Sequence, residues 1–172
     1  MLPVEGVPLV ERLRQALAPL GPVAVSVAGV AQLADWPGER WIDIRPGAGP
    51  LAGLHTALQR SPTETVFVVA CDMPFVTAET AQTLLAALTP QAQAVVPRER
   101  GGQLHPLCAV YRRSALGIVE CQLQRGDYRV RALAASLPCV YFPAEYLPGG
   151  ARSLWNWNSP VETPPEFAEK SR

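Results

Sequence analysis

The sequence predicts an α/β domain in which a mostly parallel sheet is covered by helices on both faces. Short β-branched or apolar runs alternate along the chain with alanine- and leucine-rich segments of helical spacing, the order that successive βαβ units produce. After its first residue the run from Thr65 to Ala70 is continuously apolar rather than alternating, the mark of a strand buried on both faces. Hydrophobic residues make up 48% of the 172 and charged residues 17%, a balance that suits one globular domain with one sizeable core.

Each element has its own warrant. Val7 to Leu20 reads as a helix, because Leu9, Leu13, Ala16, Leu17 and Leu20 share one face while Glu11, Arg12 and Arg14 lie mostly on the other. Gly21-Pro22 ends it. Val23 to Val27 is a strand and Trp41 to Ile44 a shorter one. Pro50 to Leu58 is a helix with proline in its first turn, where the missing N–H costs nothing. After the central run, Thr77 to Leu88 reads as a helix with Thr77 as N-cap. Ala94 to Val96 and Leu107 to Tyr111 are strands separated by the turn-rich Arg98 to Gly102. Ser114 to Leu123 and Tyr128 to Leu137 follow as helices, and Cys139 to Phe142 as the last strand. No repeat or linker divides the chain. Residues 1–160 form one domain, and residues 161–172 are a proline-containing tail expected to fray.

Composition removes several classes of function. Fifteen basic and fifteen acidic residues cancel, so no basic face points to nucleic acid as a partner, although a nucleotide needs only a few local donors. No apolar stretch approaches the ~20 residues of a membrane span, and no secretion signal opens the chain. Cys71, Cys108, Cys121 and Cys139 are widely spaced, without a CxxC pair and with only two histidines, which argues against zinc. Three of them lie in apolar runs and read as small buried hydrophobes in a reducing cytoplasm.

Ligands in such folds sit beyond the carboxyl ends of the strands, which directs attention to three segments. Arg45 to Gly53, RPGAGPLAG, follows a strand and opens a helix whose N-terminus favours an anion; an ordinary strand-to-helix turn has the same composition. In Val68 to Pro74, VVACDMP, the buried strand runs into Asp72. A carboxylate there suits Mg²⁺, which takes few protein oxygens, or caps the turn through its own backbone. In Trp155 to Pro160, WNWNSP, an extended chain places Asn156 and Asn158 on one side and the tryptophans on the other; an edge strand with wet asparagines reads the same way. His105 suits a ligand contact or a turn hydrogen bond, and His55 a structural place inside its helix. The cations of Arg125 to Arg131, Arg129 among them, suit a pterin phosphate or simply a solvated face.

In this order, the segments resemble the molybdenum cofactor guanylyltransferase family. The matching stretches are GPLAGL at Gly49 to Leu54, CDMPF at Cys71 to Phe75, HPLCAVY at His105 to Tyr111, RGDYRVRAL at Arg125 to Leu133 and NWNSP at Asn156 to Pro160. EGVPLVERL at Glu5 to Leu13 fits the family's G-x-P-L helix start. The run from HPLCAVY through RGDYRV favours the molybdenum branch over sugar-nucleotide pyrophosphorylases of the same fold. The resemblance implies a Rossmann-like nucleotidyltransferase of the nucleotide-diphospho-sugar transferase type, a three-layer sandwich. It implies that the phosphate of molybdopterin is joined to GMP from Mg-GTP, with release of pyrophosphate.

Residue by residue, Asp72 matches the family's Mg²⁺-binding aspartate, and Asn156 and Asn158 match a late asparagine pair in the active-site region. These three are the expected catalytic residues. Asp43 lies near the acidic residue associated with the guanine nucleotide, and Gly49, Pro50, Leu51, Gly53, His105 and Arg129 complete the expected binding set. GTP and molybdopterin are the implied partners, with molybdoenzyme-maturation proteins as further candidates.

The sequence departs from the family at its start. Members open with a first strand and a glycine-rich loop of the form L-A-G-G-x-S-x-R-M-G-x-D-K, whereas here Met1 almost directly precedes the helix start and Lys170 is the sole lysine. The first strand is therefore expected to be missing and its neighbours to expose an edge. The chain as written is expected to bind GTP poorly and to be a monomer or to associate through that edge. Three readings stay open: an enzyme whose true start lies upstream, a noncatalytic relative that binds molybdopterin or a partner enzyme, and a nucleotidyltransferase with another substrate.

Overall fold

The apolar runs become strands whose side chains sort alternately onto two faces, and helices cover both. The computed structural model describes residues 3–4 and 7–157. A short antiparallel ribbon of β1 (Pro3–Val4) and β2 (Val7–Pro8) leads into helix α1 (Leu9–Leu17). The helix expected from Val7 thus starts two residues later, because the residue before a proline is pushed out of the helical region. It also ends early: Ala18–Leu20 is a single 3₁₀ turn, since Pro19 has no N–H to continue the ladder.

Strands β3 (Ala24–Val27) and β4 (Glu39–Ile42) form a parallel pair, and helix α2 (Pro50–Arg60) crosses over to β5 (Thr65–Val69). Helix α3 (Ala78–Ala86) follows, capped by Thr77, whose hydroxyl accepts from the Thr80 N–H while the Thr80 hydroxyl accepts from Thr77. Then come β6 (Ala94–Arg98), β7 (Cys108–Arg112), a 3₁₀ turn at Arg113–Ala115, helices α4 (Leu116–Gln124) and α5 (Val130–Ser136), and β8 (Cys139–Pro143). The helix expected from Tyr128 starts at Val130, because the Asp127 carboxylate takes the Arg129 N–H at 3.1 Å and holds the chain in a turn.

The larger sheet has the order β5-β7-β6-β8, and β3-β4 stands as a separate two-stranded sheet. Strand β7 is antiparallel to β5 and β6, whereas β6 and β8 are parallel. Within the four-stranded sheet every strand except β7 runs in one direction, and β3 and β4 run parallel to each other, so the sheet segments are mostly parallel.

Side chains alternate as a pleat requires. Val66, Val68, Ala94, Val96, Ala109 and Tyr111 meet α2, α4 and α5 on one face. Phe67, Val69, Val95, Cys108 and Val110 meet α1 and α3 on the other. The result is the three-layer sandwich. Glu11 on α1 accepts from Arg14 at 2.6 and 2.8 Å, from Gln15 at 3.0 Å and from the Trp36 indole at 3.1 Å, which ties the 28–38 loop to the helix. Among the described residues no helix is long and apolar enough to cross a membrane.

Candidate active site

The first half of the site forms where β5 ends. The Ala70 N–H donates to the Leu107 carbonyl at 2.8 Å, and the Met73 N–H donates back to Ala70 at 3.3 Å, so the chain turns through Asp72. The Asp72 side chain is half-buried, and its Oδ1 is buried without a hydrogen-bond partner. Burial holds its carboxyl above the ordinary carboxylate range. It pushes the neighbouring Cys71 thiol up as well, helped by the Asp72 charge.

The Trp155–Trp157 segment is tied to this turn. The Trp157 N–H donates to the Asp72 carbonyl at 2.7 Å. Trp157 is buried beside Leu9, and Trp155 packs between Trp157 and Phe75 with ring centroids 6.5 and 6.1 Å away. Asn156 is exposed between the two indoles. Asn158 lies outside the described residues.

A cleft of about 890 Å³ has Met73, His105, Arg152 and Asn156 in its lining; Asp72 precedes Met73 in the chain and is not itself a lining residue. His105 is fixed from two sides: its N–H donates to the Pro97 carbonyl at 3.0 Å, and its Nε2 donates to Glu99 Oε1 at 2.6 Å. The Tyr111 hydroxyl donates to the Pro106 carbonyl at 2.7 Å and so anchors the same loop from the core. The Arg152 guanidinium lies 5.1 Å from the centre of the Phe75 ring.

The second half forms after β4. The Asp43 N–H donates to Val27 at 2.9 Å, the Ser26 hydroxyl donates to the Asp43 carboxylate, and the Ile44 N–H donates to Thr56 Oγ1 at 3.0 Å. These bonds staple the strand end to β3 and α2. Gly49, at φ 57° and ψ −144°, takes the left-handed turn that starts α2. Gly53 lets α2 approach β3: a Cβ there would stand 3.4 Å from the Ser26 side chain. Pro50 is exposed at the helix start, whereas Leu51 is fully buried in the core, so its side chain serves packing.

The sequence profile of the MobA-like NTP transferase domain matches residues 1–140. The chain belongs to this family. It is 34% identical over 145 residues to the probable molybdenum cofactor guanylyltransferase of Bacillus licheniformis, across 82% of this chain and 73% of that protein. Its counterpart in Chloroflexus aggregans is 36% identical over 161 residues, across 86% and 75% of the two chains. The fold matches the crystal structure of molybdopterin-guanine dinucleotide biosynthesis protein A from Archaeoglobus fulgidus with a TM-score of 0.81 and 26% identity, over 93% of this chain and 84% of that one. As a MobA-like NTP transferase, the protein is a nucleotidyltransferase.

The expected residues of this transferase fall into two groups. His105 and Asn156 line the cleft and Asp72 joins them through the Trp157 N–H bond to its carbonyl, while Asp43, Gly49, Pro50 and Gly53 gather around the start of α2. Arg129 joins neither: it is exposed and its guanidinium grips Asp127 at 2.8 and 2.9 Å, which holds that carboxyl down at about 2. His55 is buried against Glu120 on α4 at 3.5 Å, a structural place.

Three residues were not singled out from the sequence. Glu99 pairs with His105, Arg152 lines the cleft, and Ser26 holds Asp43. Only Ser26 carried a signal, as a hydroxyl within the otherwise apolar AVSV strand.

Among the described residues no three His, Cys, Asp or Glu side chains cluster as a metal cage. A lone carboxylate with an unpaired buried oxygen suits Mg²⁺, which keeps most of its shell for water and phosphate.

Proposed function

We propose that this transferase joins GMP from GTP to the phosphate of molybdopterin. A phosphate oxygen of molybdopterin attacks the α-phosphorus of GTP, the bond from that phosphorus to the bridging oxygen breaks, and pyrophosphate leaves with the electron pair. Asp72 carries the reading: its carboxylate, with one unpaired buried oxygen, stands at the carboxyl end of a strand, next in the chain to Met73 of the cleft wall, in a chain about a third identical to guanylyltransferases. Asp72 is the residue that would hold Mg²⁺, which when bound neutralises the triphosphate and the departing pyrophosphate.

Asp43, fixed by Ser26, and the turn at Gly49-Pro50 form the nucleotide side. His105, Arg152 and Asn156 form the acceptor side, where Arg152 offers positive charge to the molybdopterin phosphate. Asn158 and Arg129 belong to the same proposal, with Arg129 acting after release from Asp127. We place the reaction in the cytoplasm, in keeping with four cysteines that form no disulfide.

The test is direct. The purified chain is incubated with molybdopterin and Mg²⁺ together with GTP, CTP or ATP, and product is read by mass spectrometry and pyrophosphate release. Guanine dinucleotide formed with GTP and abolished by a chelator is the expected result. Preferred use of another nucleotide would overturn the base assignment, and no product with any nucleotide would overturn the catalytic reading.

A further inference from the structure

Two walls supply the polar side chains of the cleft. The connection between β6 and β7 gives Glu99, Gln103 and His105, and the segment after β8 gives Arg152 and Asn156. The first wall folds so as to bring Glu99 against His105. The Glu99 N–H donates to the Gln103 carbonyl at 2.9 Å, and the Gly102 N–H donates to the Glu99 carbonyl at 2.8 Å. Gly102 sits at φ 83°, in the left-handed region that favours glycine. Arg98 bridges to Leu104 across the turn. Glu99 Oε1 thereby lies 2.6 Å from His105 Nε2, with the carboxylate side chain 35% exposed and the imidazole only 10%.

This bond decides which ring nitrogen is left for a ligand. An ionised carboxylate only accepts, so Nε2 carries a proton, and in the neutral ring Nδ1 then keeps its lone pair. Among the described residues Nδ1 of His105 has no hydrogen-bond partner, and unlike Nδ1 of His55 it is not sealed from solvent. The cleft therefore meets a ligand with an acceptor at His105 and a cation at Arg152. The two suit different ends of one molecule. A phosphate monoester has a second pKa of ~6, so above neutral pH it has no proton to donate, and its charge matches Arg152. A ring N–H is the group that a fixed imidazole lone pair takes.

We propose that Glu99 is a positioning residue, which fixes the tautomer and ring angle of His105 so that Nδ1 accepts an N–H of the pterin ring. The proposal rests on the guanylyl-transfer reading and adds a division of labour to it. Arg152 serves the phosphate of the acceptor, and the Glu99–His105 pair selects its heterocycle. Selection of this kind is steep, because a ring without the donor leaves the buried acceptor unpaired.

The test compares Glu99→Met, which keeps the length of the side chain without an acceptor, with Glu99→Gln, which keeps an acceptor oxygen without the charge. Imidazole nitrogen-15 shifts of the full chain at about pH 8 read the tautomer, with His105→Ala separating its signals from those of His55. A single Nε2–H form is expected in the wild type and a mixture in Glu99→Met. In turnover with GTP, Glu99→Met is expected to raise the KM for molybdopterin about tenfold with kcat and the KM for GTP held, and Glu99→Gln to recover most of that loss. In a His105→Ala background Glu99→Met should add nothing. An Nδ1–H form in the wild type overturns the proposal, and two protonated nitrogens overturn it in favour of a cationic contact to phosphate. An unchanged KM in Glu99→Met, or an equal further loss in the His105→Ala background, overturns it too. If the wild type makes no dinucleotide, the catalytic reading fails by itself, and molybdopterin binding followed by tryptophan fluorescence decides this proposal: about tenfold weaker binding by Glu99→Met supports it, and equal affinity overturns it.

Discussion

Asp72 occupies a place where its charge is costly. Folding raises its pKa through burial, so the folded state binds the proton more tightly than the unfolded chain does. The stability associated with Asp72 therefore falls as pH rises from the ordinary carboxylate range through the folded pKa. Asp72→Asn removes that penalty. Its melting temperature is expected to exceed that of the wild type at about pH 8 and to converge with it near pH 2.5, below the ordinary aspartate value of ~3.9. Turnover is expected to fall about a hundredfold or more, the scale of one lost transition-state charge contact. Calorimetry at the two pH values and steady-state assays check both halves; a lower melting temperature at the higher pH would show that the carboxylate stabilises the fold. His105 makes the opposite case, because Glu99 and the Pro97 carbonyl hold it in place. His105→Ala is expected to raise the KM for molybdopterin about tenfold, or ~1.4 kcal/mol, with the KM for GTP unchanged. An equal rise in both constants would place His105 outside the acceptor side.

Helix α2 carries the proposed nucleotide side of the site, and its distance from β3 is set at Gly53. A methyl group there would stand 3.4 Å from the Ser26 side chain, a tight but ordinary contact, and alanine gains roughly 1 kcal/mol in a helix interior over glycine. Gly53→Ala is therefore expected to be near neutral. Gly53→Leu forces α2 away from β3, should cost about 1–3 kcal/mol and should loosen the Ser26–Asp43 bond; urea midpoints read the difference. At α3, Thr77→Ala is expected to cost about 1 kcal/mol by removing the acceptor for the Thr80 N–H. Elements of this kind were legible in the sequence because their signals are local. Thr77 caps through its own side chain, and Pro50 opens a helix through its fixed φ. Boundaries were missed where the deciding bond lay a residue or two away, as at Val130, whose start depends on the Asp127 carboxylate holding Arg129. The Glu99–His105 pair was illegible because it closes across a nine-residue connection between two strands, and no spacing rule reports which way such a loop folds.

At the scale of the molecule, the continuous apolar run of β5 was read as a strand buried on both faces, yet each of its residues is half-exposed. Both statements hold. α2 covers one face and α1 with α3 the other, and the exposure enters along the edge of β5 that faces β3, where no strand among the described residues pairs. Periodicity reports what covers a strand's faces and is blind to its edges. The same split sets the dynamics. The β3–β4 pair shares no main-chain ladder with the four-stranded sheet, and α2, which packs against β3, β4 and β5, is its chief link to the larger core. Local opening free energies range from near zero to the global value, and the lowest belong to units with few buried contacts. In the unliganded chain the ladder amides of β3 and β4 should therefore exchange at least a hundredfold faster than those of β6 and β7. That ratio corresponds to an opening roughly 2.7 kcal/mol below global unfolding, at 1.36 kcal/mol per tenfold. Equal exchange rates in the free protein would mean that α2 alone couples the sheets into one cooperative unit and that the two halves of the active site are already rigidly joined.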